Sequence, residues 1–264
     1  MTLHAALAAA ATLVSLAFAL STLDRWIDRR RRHEAAWTAA LFMFSIASAA
    51  LWCGAALGWN EVSFKVFYLF GAILNVPFLA LGTVYLLGRP RTGDRWALVV
   101  SLLGAFCAGL VVSAPLVAPI EADALPRGAE VFGVGPRIAA AVGSGAAAMV
   151  IIGGALVSAW RLLRTGRRSA AGDVPRSPVP PRRLALANLL IAAGTLVLSA
   201  GGLLNSVLDE MDAFAVSLVV GIAIIFGGFL LTATPAALTP PQPWYPPGGQ
   251  REAPPETPTG LSPA

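Results

Sequence analysis

Apolar residues run along this chain in seven continuous stretches, separated by short segments that hold nearly all of its charge. The stretches fall at about 4–23, 35–57, 65–87, 97–119, 137–160, 184–204 and 213–234. Each matches the length of about 20 apolar residues that an α-helix needs to cross hydrocarbon. They do not alternate between polar and apolar residues as barrel strands do, and they far exceed strand length. No Asp or Glu lies inside any of them, and Lys65 and Arg137 sit only at ends. The pattern therefore predicts an all-α polytopic membrane protein, with a seven-helix transmembrane bundle over residues 1–235.

The charged segments also predict an orientation. Arg25 and Arg29 to Arg32 follow the first span, Arg89, Arg91 and Arg95 the third, and Arg161, Arg164, Arg167, Arg168, Arg176, Arg182 and Arg183 the fifth. With Arg251 beyond the last span, only Lys65, Arg127 and Arg137 of the 19 basic residues fall on the other side. Basic residues accumulate on the cytoplasmic side of membrane proteins. The N-terminus is thus expected outside and the C-terminus inside, with the multi-pass chain in the plasma membrane. Arg29, Arg30, Arg31, Arg32, Arg167 and Arg168 are expected to meet anionic lipid headgroups, each worth about 1 kcal/mol near the surface.

A competing reading concerns the first span. Ala17-Phe18-Ala19 resembles a signal-peptide cleavage site. The segment Met1-Thr2-Leu3-His4 has no lysine or arginine, however, and cleavage would leave five arginines on the outside. An uncleaved first helix is the expectation.

Composition agrees with lipid as the solvent. Hydrophobic residues make up 56% of the 264, charged residues 12%, and the mean hydropathy is +0.71. A soluble domain carries about 25% charged residues, so too little polar surface exists here to cover a water-soluble globule. The net charge of +5 could suggest nucleic acid, but topogenic arginine accounts for it and no nucleic-acid partner is expected. Arginine is strongly preferred to lysine, as in GC-rich bacterial genomes. Trp26, Trp37, Trp59, Trp96 and Trp160 fall at the predicted interfaces, where amphipathic rings prefer to sit. The proline-bearing segment 161–183 and the Pro-rich tail 236–264 read as disordered; loops or tail are the expected contacts for any protein partner.

Several chemistries are excluded or weakened. Cys53 and Cys107 show neither CxxC nor metal-ligand spacing. The two histidines, His4 and His33, fall on opposite sides, so no Ser–His protease dyad and no haem-type pair is available. His33-Glu34-Ala35-Ala36 begins like the zinc-protease motif, but position 37 is Trp. The last span has no lysine for a retinal Schiff base, and Gly133-Val134-Gly135 is too short for a nucleotide loop. The outer carboxylates Glu61, Glu121, Asp123, Glu130, Asp209, Glu210 and Asp212 read as a solvated rim in preference to a cation site. No cofactor, no metal and no catalytic residue is expected, and the chain is read as non-enzymatic.

What remains is a polar point in the third span, within Gly71-Ala-Ile-Leu-Asn75-Val-Pro77. Pro77 removes a helical hydrogen bond and frees a carbonyl one turn earlier. Asn75 is expected to make an interhelical bond at a kinked helix, or else to line a ligand pocket with Tyr68 and Tyr85. Small residues on the later spans, among them Gly194, Gly201, Gly221 and Gly228, predict close helix packing.

Spans two and three also carry a recognisable text: Trp37, Leu51-Trp-Cys-Gly-Ala-Ala-Leu-Gly-Trp59, Phe64-Lys-Val-Phe-Tyr-Leu-Phe-Gly71, Asn75-Val-Pro77 and Tyr85-Leu-Leu-Gly88. It resembles uncharacterised seven-helix membrane proteins of actinobacteria. It is also similar to the seven-helix sensor modules of bacterial histidine kinases, with their aromatic-glycine-proline pattern and outside N-terminus. Those sensors continue into a cytoplasmic output domain, where this sequence has its Pro-rich segment. The resemblance implies a sensory or interaction module; the alternative is a transporter or channel for a small neutral or apolar solute.

Overall fold

The structure, a computed structural model, describes residues 3–168, 181–208 and 211–232. The chain divides into a compact unit, Met1–Ala233, and a segment, Thr234–Ala264, that lies outside the described residues together with the predicted tail. The compact unit is all-α. Its elements are α1 (Leu3–Arg29), α2 (Arg32–Leu57), α3 (Glu61–Leu87), α4 (Pro90–Ser113), the single turn α5 (Gly128–Val131), α6 (Val134–Arg168), α7 (Pro181–Leu208) and α8 (Met211–Thr232). Six of them are long and apolar enough to cross a membrane, and α7 contributes a shorter apolar stretch, Leu189–Gly201.

Two helix limits depart from the sequence expectation for a physical reason. The fourth span stops at Ser113, not at 119, because Pro115 disfavours helical geometry in the residue before it; Ala114 is extended, with ψ 125°. It begins earlier as well, with Pro90 in the first helical turn, where a missing N–H is harmless. The segment 161–183 is not wholly irregular. Helix α6 continues to Arg168 and α7 starts at Pro181, which leaves 169–180 outside the described residues.

Six helices close a ring. In order of contact these are α1, α2, α3, α6, α7 and α8, with α8 returning to α1. Helix α4 lies outside the ring against α3 and α6, and most of its large side chains, such as Leu98, Leu102 and Phe106, are exposed as a lipid-facing surface would be. At the α1–α2 seam the buried hydroxyls of Ser15 and Ser45 are 2.9 Å apart. At the α7–α8 seam the backbones nearly touch. A Cβ on Gly194 would lie 2.7 Å from the Gly221 carbonyl oxygen, and one on Gly228 would lie 2.8 Å from that of Ala187. These glycines do what the sequence assigned to them.

The two ends of the bundle differ. The arginine-rich end joins α1 to α2 through Arg30, in the left-handed region at φ 51°. There Arg32 pairs with Asp94, which also accepts a 2.9 Å hydrogen bond from the Tyr85 hydroxyl. The opposite, acidic end is covered by residues 114–133, which are ordered. Val117 and Trp59 donate to the carbonyls of Val131 and Ala122, and Leu116 bridges Phe132. Phe132 is buried and packs on Phe64 and Tyr68 with ring centroids 5.2 and 4.9 Å apart. Lys65 ties the cover to the bundle: its ammonium donates to the carbonyls of Val112 and Ala114, closing the end of α4, and pairs with Glu61 at 2.8 Å.

Candidate functional site: a cavity inside the helix ring

Helix α3 does not run as a plain α-helix. It is α-helical over Glu61–Phe67, π-helical over Tyr68–Leu74 and α-helical again from Asn75 to Leu87. The Asn75 N–H donates to the Phe70 carbonyl, five residues back. Because Pro77 has no N–H to offer, backbone pairing upstream of it is rearranged, and the Ser144 hydroxyl of α6 donates to the Ala72 carbonyl. A π-turn inside an α-helix recurs at functional sites. Here it lies beside a void.

The void is a half-enclosed cavity of about 1000 Å³ inside the ring, walled by α2, α3, α6, α7 and α8. That volume is at the upper end of the about 300–1,000 Å³ of ligand pockets. The walls are mostly apolar, from Phe44, Phe67, Leu198, Phe214 and Ile222 among others. Of the hydroxyls on them, Ser144, Thr195 and Ser199 each donate to a backbone carbonyl of α3 or α7. Asn75 differs. It is 8% exposed, lines the cavity, and its Oδ1 has no hydrogen-bond partner. A buried amide oxygen left unpaired costs about 1–3 kcal/mol, so the Asn75 amide is an incompletely satisfied polar group in the cavity wall.

Toward the arginine-rich end the cavity stops at Leu41, Leu79 and Ile225. The same three residues bound a second void of about 60 Å³, which continues to Trp37, Thr83 and Phe229. The Trp37 indole N–H donates to the Leu79 carbonyl at 3.2 Å, and its ring fills the space where Gly82 has no side chain. At the acidic end, Tyr68, Arg137 and the turn carrying Arg127 and Gly128 reach the cavity.

Among the residues singled out from sequence, Tyr68 and Asn75 meet in this cavity. Pro77 lies in the helix that shapes it. Tyr85 stands at the arginine-rich end with Asp94, away from the cavity. Arg29 ends α1, Arg30 stacks over Trp26 at 5.5 Å, Arg31 precedes α2 and Arg32 pairs with Asp94. The side chains of Arg167 and Arg168 lie outside the described residues. Among the described residues no acidic, His or Cys cluster could hold a metal ion.

Glu34 lies just before the predicted second span and is not singled out by the sequence, yet it is fully buried in the first turn of α2, 3.7 Å from Arg25. The guanidinium of Arg25 lies 4.3 Å above the Phe229 ring. The signal available was the position of Glu34, an acid that ends the arginine run and directly precedes the apolar run starting at Ala35.

No protein-family model matches the chain, and no curated protein or solved structure matches it significantly.

Proposed function

We propose that this protein is a non-enzymatic membrane module that binds a small, largely apolar ligand carrying one hydrogen-bonding group. The incompletely paired Asn75 amide in the wall of a cavity of about 1000 Å³ carries the reading. The π-turn next to it supplies a deformable element through which occupancy can be passed along α3. The resemblance of spans two and three to sensor modules points the same way. With the arginine-rich end in the cytoplasm, the cavity faces the outer half of the plasma membrane and its ligand arrives from outside.

Two variants test binding in lipid nanodiscs. Gly145 lines the cavity and an added Cβ there would meet nothing within 4 Å, so Gly145→Phe fills the void without disturbing packing. It is expected to abolish binding of an apolar alcohol probe with no loss of thermal stability. Asn75→Leu is expected to weaken the same probe on the order of tenfold, one hydrogen bond's worth. Undiminished binding by the filled variant would remove the proposal.

A transport reading is favoured by one further observation: the two voids adjoin and share Leu41, Leu79 and Ile225 in their walls. Solute uptake into liposomes separates carrier from sensor. Flux lost in Gly145→Phe supports a carrier; binding without flux supports a sensor. Sidedness has its own test. Replacing Arg29, Arg30 and Arg31 by glutamine, with Arg32 left to Asp94, is expected to produce mixed orientation of reporter fusions. Unchanged orientation would assign sidedness to the later loops.

A further inference from the structure

The acidic end of the cavity carries charge that a purely neutral ligand would not use. Only three basic residues belong to the acidic end, Lys65, Arg127 and Arg137, and two of them, Arg127 and Arg137, line the cavity. Lys65 is engaged with Glu61 and the end of α4, and Arg127 pairs with Glu130 at 3.3 Å. Among the described residues Arg137 has no carboxylate partner, and it is exposed at the first turns of α6. Arg137, Ala141, Ser144 and Ala148 fall on one helical face, and all line the cavity. From Arg137 to Ser144 the wall descends about 10 Å, at about 1.5 Å per residue. Ser144 meets Ala72, and Asn75 is a further turn down α3, about 4–5 Å deeper.

The cavity thus has a cation at its acidic end, the incompletely paired amide of Asn75 about 15 Å below it, and apolar wall between. We infer that the ligand is a single-chain anionic amphiphile of the hydroxy-acid class. Its acid group sits at Arg137, its hydrocarbon fills the cavity, and a hydroxyl near the far end hydrogen-bonds with the Asn75 amide. An extended chain of about a dozen carbons has this reach. This rests on the binding reading above and narrows it to a chemical class. Guanidinium suits the head because it offers fork-like donors to a carboxylate and stays charged.

The test uses the full-length protein in phosphatidylcholine nanodiscs, with radiolabelled omega-hydroxydodecanoate, dodecanoate and dodecanol. Partition into lipid is subtracted with discs holding Gly145→Phe. Omega-hydroxydodecanoate is expected to bind on the order of tenfold more tightly than either other probe. Arg137→Gln should remove the advantage of the acid, with Arg137→Lys restoring part of it. Asn75→Leu should remove the advantage of the hydroxyl and leave that of the acid. Equal affinity for all three probes, with no effect of Arg137→Gln, overturns the hydroxy-acid assignment while the apolar binding site stands. Binding of no probe above the filled variant overturns both.

Discussion

Glu34→Ala is expected to destabilise the bundle by about 3–5 kcal/mol, the cost of breaking a buried ion pair from one side. The carboxylate is fully buried between helices, and neither of its oxygens has a hydrogen bond to add to the 3.7 Å approach of Arg25. On the other side of the pair, Nε and one terminal nitrogen of Arg25 are buried without hydrogen-bond partners. Each ion is therefore compensated mainly by the other, with the Phe229 ring adding a contact to the guanidinium face. Truncating Glu34 strands that guanidinium among α1, α2 and α8. The double variant Arg25→Met/Glu34→Leu should recover most or all of the loss, because apolar replacement of a whole buried pair is often neutral or stabilising. Thermal unfolding in mild detergent, followed by loss of helical circular dichroism, measures both. A neutral Glu34→Ala variant would show that the pair contributes nothing to the ring.

The contrast between Glu34 and the rest of the chain indicates what a sequence of this kind discloses. The all-α polytopic bundle followed from length and hydropathy because each crossing needs a fixed run of apolar residues; six helices meet that length among the described residues, and the sixth predicted span meets it only in part, over Leu189–Gly201. Which residues face one another is not encoded that way. Tyr85 and Tyr68 are equally plausible companions for Asn75 by type, yet they point to opposite ends of the bundle because α3 is 27 residues long. The pairing within residues 114–133 is not legible in the sequence for a similar reason. Its apolar residues, Leu116, Val131 and Phe132, are scattered without period, and they pack only because Trp59, Phe64 and Tyr68 present an aromatic surface to them. Asn75 and Pro77 were legible as a disturbance. Whether that disturbance borders a void depends on small residues elsewhere, such as Ala141 and Gly145 on α6, that leave the space unfilled.

Glycine placement supplies the other large expected effect, since small residues create close approach at one seam and empty space at another. Gly194→Leu is expected to separate α7 from α8 and to prevent accumulation of folded protein. A Cβ at 194 would meet Ile225 Cγ1 at 2.5 Å, the Gly221 carbonyl oxygen at 2.7 Å and the Ile225 backbone nitrogen at 3.0 Å. Overpacking a core typically costs about 1–3 kcal/mol when side chains can shift. Two of these three atoms belong to the backbone of a regular helix, so relief requires moving the whole of α8, and the loss should exceed that range. Gly227 on the same helix provides the control: a Cβ there meets nothing within 4 Å, and Gly227→Leu should leave stability within about 0.5 kcal/mol, as surface substitutions usually do. Expression level and monodispersity on size-exclusion chromatography, followed by thermal unfolding of whatever accumulates, compare the two variants directly. Equal behaviour would mean that α7 and α8 are held apart in the membrane, and the wall of the cavity that they form would have to be redrawn.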